Sequence, residues 1–465
     1  MTSTITTDQE ARRKRTVMWV VSLATVGMIF DGYDLVVYGA VLSTFLNDPS
    51  HLGEVTPAVA GTLGSYALLG MMFGALLAGA FGDILGRRKV MLLSYAWFSI
   101  GMFVTALMSS TTTFGIMRFL TGLGIGALIA TTGTLVTEFA PPGKKNLCSA
   151  ISYSGVPLGS LLGALLAILL LESLGWRGLF MIGALPIVTL LPLAFLKMPE
   201  SVPWLVARGQ IDKARAISER TGVPMPESVP ESEKAERVGF AGLISRGFLL
   251  STVLVGLMSA LAQFLNYYLN TWLPVLMEQV GFNTKGSLAF LLVLSGGAIL
   301  GALGGSRFAD RFGPKPVVAT GFLIGASFIA LLTLNVPLPV RLLFVAIVGF
   351  GTTGTSILIY GLVANYFPTK MRGAAVAWAA GFGRLGGVSG PLLGGLFLAA
   401  GLGVNAVFYV LAGFALLGVA LTLAVPRVRR ATDVHSTPVE PAVPLGAGAT
   451  AVSRLRSTGL GNAMQ

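Results

Sequence analysis

Asp31 and Asp34 stand three residues apart in Phe30-Asp31-Gly32-Tyr33-Asp34-Leu35-Val36-Val37-Tyr38-Gly39, inside an apolar run from about Val17 to Leu46. Roughly 20 apolar residues suffice to cross a bilayer, and a tilted helix takes more. Asp31 falls near the midpoint of the run, where an unpaired charge costs at least about 2.5–3.5 kcal/mol. Carboxylates held at that depth face a cavity or a partner, and two are more than one helix-locking ion pair needs. The chemistry open to such a couple is proton exchange near neutral pH, because each charge disfavours ionisation of the other. Two more charges lie deep in apolar runs, Arg118 and Arg384, and the four sum to zero. A guanidinium fork binds both oxygens of a carboxylate and keeps its proton. Arg384 or Arg118 is therefore expected to receive the carboxylate of an organic anion while Asp31 and Asp34 carry protons. By helix rise, Arg118 and Asp34 lie at similar depth and can pair if their runs adjoin.

For the body of such an anion, one run offers Gln263, Phe264, Asn266, Tyr267, Tyr268, Asn270 and Trp272 before Pro274. Aromatic walls with a few amide donors suit a small ring. Trp272 fits an aromatic belt at the membrane interface equally well. Tyr33, Tyr38 and Tyr360 are further cavity candidates.

The elements that must position these residues are membrane helices. The chain is 54% hydrophobic and 11% charged, with mean hydropathy +0.79, which no soluble domain matches. Apolar spans are predicted near 17–46, 57–82, 89–109, 112–139, 147–171 and 177–197, then near 247–278, 285–309, 315–335, 340–366, 371–400 and 404–425. This gives an all-α membrane protein: a basic arm over 1–16, a six-helix bundle over 17–197, a central loop over 198–246, a second bundle over 247–425, and a disordered tail over 426–465. Within the loop, 207–220 reads as an amphipathic helix and 221–240 as a linker.

A formal charge of +12 could suggest nucleic acid, yet 27 of the 32 Lys and Arg lie in the termini and in loops alternating to one side. Arg177, Lys285 and Arg341 fall at the opposite ends. That asymmetry predicts both termini in the cytoplasm, with no nucleic-acid partner. Cys148 is alone and His51 and His435 are far apart, so neither a disulfide nor a metal cluster is expected, and no cofactor motif is present. The first run lacks a small-residue cleavage site and is read as a retained span.

The halves repeat. At an offset of 227 residues, Gly70 meets Gly297, Gly74 meets Gly301, Asp83 meets Asp310, Gly86 meets Gly313, Gly122 meets Gly349 and Gly159 meets Gly386. Small residues every fourth position on spans two, five, eight and eleven let helix backbones approach closely in lipid. Parallel six-span repeats build one large class of secondary transporters. Glu138 and Asn365 occupy equivalent positions at inner helix ends and are read as structural.

Gly79-Ala80-Phe81-Gly82-Asp83-Ile84-Leu85-Gly86-Arg87-Arg88-Lys89 resembles the G-x-x-x-D-R-x-G-R-R loop of the major facilitator superfamily, with Ile84 where a basic residue is usual. The second copy keeps Asp310, Arg311 and Gly313 but has Ser306 and Pro314 where Gly and Arg are expected. The resemblance implies a gating role for Asp83, Gly86, Arg87 and Arg88 and for their counterparts in the second half. Arg118 to Gly126 resembles the superfamily's span-four motif. Asp31-Gly32-Tyr33-Asp34, with Asn270-Thr271-Trp272-Leu273-Pro274 and Gly383-Arg384-Leu385-Gly386-Gly387, resembles the aromatic acid:proton symporter family, and Ser65 to Met71 looks most like its benzoate carriers.

That resemblance implies import of benzoate- or hydroxybenzoate-like acids with protons, by a monomer in the bacterial cytoplasmic membrane, with Asp31 and Asp34 functional. Gly386-x-x-x-Gly390-Pro391-x-x-Gly394-Gly395 matches a pattern of drug:proton antiporters, but there it belongs on span five and here it lies on span eleven. Antiport of organic cations is the second expectation, and a transporter-like sensor that binds without flux is a third. No phosphate loop or hydrolytic triad points to an enzyme.

Overall fold

The computed structural model describes residues 7–141, 143–225, 239–245, 247–368 and 371–426. All regular structure among them is helical. Span one is Thr7–Asn47, span two Pro57–Leu85, span three Arg87–Ala106 and span four Thr111–Phe139. Span five runs through Lys145–Tyr153 and into Gly155–Ile182, where Gly175 (φ 64°, ψ −179°) breaks the helix and starts span six. Span six continues through a 3₁₀ turn at Leu185–Ile187 and the helix Leu190–Lys197, with Pro186 and Pro192 denying it a continuous hydrogen-bond ladder. Spans seven to nine are Leu249–Gln279, Thr284–Phe312 and Pro314–Leu331. Span ten is Leu338–Gly349 and Thr355–Tyr366, joined by a π turn at Phe350–Gly354; spans eleven and twelve are Arg372–Ala399 and Val404–Ala424. Span eleven is long enough to cross, but glycines and Arg384 fill its centre, so hydropathy alone passes over it.

The repeat predicted from glycine register is present in the packing. A Cβ at Gly70 or Gly74 would enter the backbone of Phe119 or Leu123 on span four. One at Gly297 or Gly301 would meet Ala346 or Phe350 on span ten, the same partners shifted by 227. Gly122 against Ala67 and Gly349 against Leu294 repeat the relation from the other side. Without a hydrophobic driving force inside lipid, such close backbone approach holds the helix pairs together. The span-eleven glycines are spent likewise, Gly386 on Ala260, Gly390 on Phe264 and Tyr268, and Gly394 on Trp272.

The two halves meet at the end away from the described chain ends, Thr7 and Pro426. Ser65 Oγ donates to Val388 O (2.7 Å), Gly61 lies against Pro391, and Gly39 lies against Asn270. Lys285 pairs with Glu172 across the same boundary at 2.7 Å. Deepest of these contacts is Arg384 with Met71, Nη1 to Sδ 3.9 Å. From there toward the chain ends no hydrogen bond or ion pair joins the halves among the described residues. Among the described residues, no extensive packing joins spans four and five to spans ten and eleven. The space between the halves therefore opens toward the chain ends and is closed at the far end.

The basic arm is helical where it is described. Residues 7–15 extend span one as helix, because Asp8 and Glu10 pair one turn on with Arg12 (2.7 Å) and Lys14 (3.4 Å). The amphipathic helix predicted over 207–220 is split: Val202–Ala207 and Ile211–Thr221 are separated by Gly209 at φ 71°. The second piece lies beside the start of span one, where Thr16 Oγ1 donates to Thr221 O at 3.2 Å. Pro226 and Pro230 of the linker and the tail with Arg427, Arg429, Arg430 and His435 lie outside the described residues.

Candidate functional site

Asp34 is 1% exposed and Arg118 3%, and Arg118 Nη1 donates to Asp34 Oδ1 at 2.5 Å. The rings of Tyr38 and Phe180 lie 5.2 and 5.9 Å from the guanidinium centre, which walls the pair with aromatic faces. Asp34 Oδ2 and Arg118 Nε are buried without partners. All four residues belong to the N-terminal half. The pairing allowed by depth is present, so the guanidinium of Arg118 is engaged by Asp34 and buried.

Removing one member of a buried pair strands the other, at about 3–5 kcal/mol. Asp34→Asn is therefore expected to lower the melting temperature and the yield of monodisperse protein, and Asp34→Asn with Arg118→Met to recover both. Size-exclusion profiles of detergent extracts decide this; a single variant as stable as the parent contradicts it.

Asp31 lies elsewhere, 7% exposed and within electrostatic reach of Arg384 of the other half. Arg384 is half-buried and has no acid of its own half beside it; Asp31, Tyr267, Tyr360 and Tyr153 are the groups within its electrostatic reach. Arg384 Nη1 donates to the Tyr267 hydroxyl at 3.4 Å. Arg384 of span eleven thus shares an electrostatic neighbourhood with Asp31 of span one and with phenols of spans five, seven and ten, and touches the one on span seven. Such a group can bind a planar anion by its carboxylate and its ring face, and can exchange a proton at Asp31.

Tyr267 and Tyr360 stand where the sequence placed them. Tyr153 was missed: it ends the short helix Lys145–Tyr153, and its hydroxyl donates to Ile129 O at 3.1 Å. Asn266 and Asn270 form one network with Thr353 of the π turn, Asn266 Oδ1 accepting from Thr353 Oγ1 (2.8 Å) and from Asn270 Nδ2 (3.0 Å). Asn266 and Thr353 remain half-buried and can reach a bound molecule.

The other cavity candidates are corrected to packing roles. Tyr33 donates to Leu179 O (2.7 Å) and ties span one to span six. Tyr38 donates to Ala60 O and covers Arg118. Phe264 packs on Phe414 with ring centroids 4.9 Å apart. Trp272 is fully buried and donates to Pro391 O at 2.9 Å, so it joins spans seven and eleven and is neither an interface belt nor a ring contact.

The loop between spans two and three, for which the resemblance implies a gating role, is heavily bonded. Asp83 pairs with Arg87 (2.9 Å), and Arg87 also meets Glu138 at 3.6 Å. Glu200 accepts from Arg88 N at 3.0 Å, Arg88 Nη2 donates to Phe195 O at 2.6 Å, and Asp83 O accepts from Trp204 Nε1 and Arg208 Nη2, both at 2.8 Å. Gly86 supplies φ 102° at the turn. Glu138, Glu200, Trp204 and Arg208 extend this latch beyond the sequence motif. In the second copy Gly313 has φ 86°, Arg311 lies over the Phe312 ring, and Asp310 and Arg311 form no ion pair among the described residues.

Two six-helix repeats with a cation at their boundary have the architecture of a membrane transporter. Residues 20–426 match the family described as sugar (and other) transporter. The chain belongs to that family, within the major facilitator superfamily, and is a membrane transporter and not an enzyme. It is 35% identical to the gentisate transporter of Corynebacterium glutamicum, covering 86% of this chain and 85% of the relative. To the benzoate transport protein of Acinetobacter baylyi it is 32% identical, covering 82% and 83%. To the 4-hydroxybenzoate transporter PcaK of the same organism it is 29% identical, covering 82% and 85%. The inward open conformation of the xylose transporter XylE from E. coli shares the fold at TM-score 0.71 and 19% identity, covering 89% of this chain and 98% of that one.

Proposed function

We propose that the chain imports aromatic carboxylates of the benzoate and hydroxybenzoate class across a bacterial cytoplasmic membrane, together with protons, as a monomer working by alternating access. The observation that supports the reading is Arg384, which donates to the Tyr267 hydroxyl and lies within electrostatic reach of Asp31 of the opposite half. The naming of relatives for gentisate, benzoate and 4-hydroxybenzoate supports the same ligand class.

The coupling follows from charge. Arg384 neutralises Asp31 while the vestibule is empty. An incoming carboxylate takes the guanidinium fork, and Asp31 is left beside a second negative charge, which favours its protonated form. The proton travels with the anion; without it each entering charge is opposed by about 2.3 kcal/mol per 100 mV. Asp34, held by Arg118, keeps the N-terminal half rigid beneath this exchange. The basic loops support a vestibule that opens to the cytoplasm, with its closed end outward.

Uptake of labelled benzoate, 4-hydroxybenzoate and gentisate into proteoliposomes under an imposed pH gradient tests this. Accumulation that collapses with a protonophore supports it. Absence of flux for all three, with efflux of organic cations instead, replaces it with antiport.

A further inference from the structure

On the face opposite Thr7 and Pro426, the C-terminal half carries a cup of about 400 Å³ whose wall does not include Arg384. Its wall is formed by Gln279 at the end of span seven, Thr333 and Asn335 before span ten, Arg341, and Asn405 at the start of span twelve. No acid lines it; Glu278, the residue before Gln279, is not part of the wall.

Arg341 is 6% exposed, in the first turn of span ten. Its Nη2 donates to Leu334 O (2.9 Å), its Nε is buried without a partner, and its guanidinium lies 5.4 Å from the Phe282 ring centre. It joins no ion pair among the described residues. A cation at a helix N-terminus is repelled by the helix dipole, and a buried one without a counter-charge is costly. Span twelve opens onto the same cup: Gly403 precedes it without a side-chain cap, and the first backbone bond of the helix is Val407 N to Gly403 O. The amides of its first turn are therefore unclaimed donors, the usual setting for a bound anion.

We propose that this cup binds a small oxyanion, a carboxylate or a phosphate group, with Arg341 as its counter-charge. The central site does not enter the argument, and the probes lack an aromatic ring. The test is the melting temperature of the full chain in detergent, titrated with sodium phosphate and sodium acetate at constant ionic strength in chloride, since a ligand of the folded state raises it with concentration.

The parent is expected to respond in the millimolar range. Arg341→Gln should need at least about tenfold more anion, and Arg341→Lys should stay near the parent. Asn405→Asp puts a negative charge on the rim where an acid suits the helix start, so it folds and loses the response; it decides alone if Arg341→Gln does not fold. Native mass spectrometry separates the sources: phosphatidylglycerol carried by the parent and absent from Arg341→Gln and Asn405→Asp assigns a lipid phosphate, whereas an anion response without lipid assigns a free anion. Identical anion responses and lipid content in all four proteins overturn the proposal.

Discussion

Asp31→Asn in proteoliposomes is expected to lose accumulation driven by a pH gradient while retaining exchange of labelled for unlabelled benzoate. One coupled proton concentrates an anion about tenfold per pH unit, since each unit is worth about 1.36 kcal/mol. Asparagine cannot take up that proton, so the accumulation ratio should fall to about one. Exchange survives because an amide beside the substrate carboxylate removes the repulsion that proton uptake would otherwise relieve. The position is expected to tolerate the change, because no ion pair or hydrogen bond of the Asp31 side chain is broken by it among the described residues. Asp34 differs in this respect, being 1% exposed and bound by Arg118.

Arg384→Gln is expected to weaken binding of benzoate by roughly 150-fold, the equivalent of about 3 kcal/mol for a lost charge-assisted pair. Arg384→Lys should recover part of this, since an ammonium supplies the charge without the planar fork. Equilibrium dialysis with labelled benzoate on purified protein measures both. A glutamine variant that binds as the parent does would remove Arg384 from the site. The tyrosines should respond differently: Tyr267 is tied to the arginine by its hydroxyl, so Phe at that position should cost far less than loss of the guanidinium.

The two-repeat fold was legible because glycine register survives loops and appears unchanged in the helix contacts, Gly74 on Leu123 and Gly301 on Phe350. The depth of Asp31, Asp34, Arg118 and Arg384 was legible from helix rise alone. Partner choice was not. Residues three apart on a helix differ by about 60° in direction, enough to send Asp34 to span four and Asp31 to the boundary between halves. Distance along the chain carries no information about that rotation, which is set by Gly32 lying against Val156 and Ser160.

The same limit explains Trp272 and Phe264. Their apolar character fits a ring-binding wall or a helix seam equally, and close approach of spans seven and eleven chose the seam. Tyr153 escaped notice because the chain breaks at Ser154, so periodicity through span five gave no single face. The latch around Asp83 was half legible: the loop motif named Arg87 and Arg88, but Glu138 and Glu200 come from distant segments.

Protons taken up per benzoate bound, read from the pH change of a weakly buffered solution of purified protein near pH 7, test the exchange at Asp31 most directly. About one proton should enter with each benzoate in the parent and none in Asp31→Asn. Binding without proton uptake in the parent, or undiminished uptake in the variant, would contradict it.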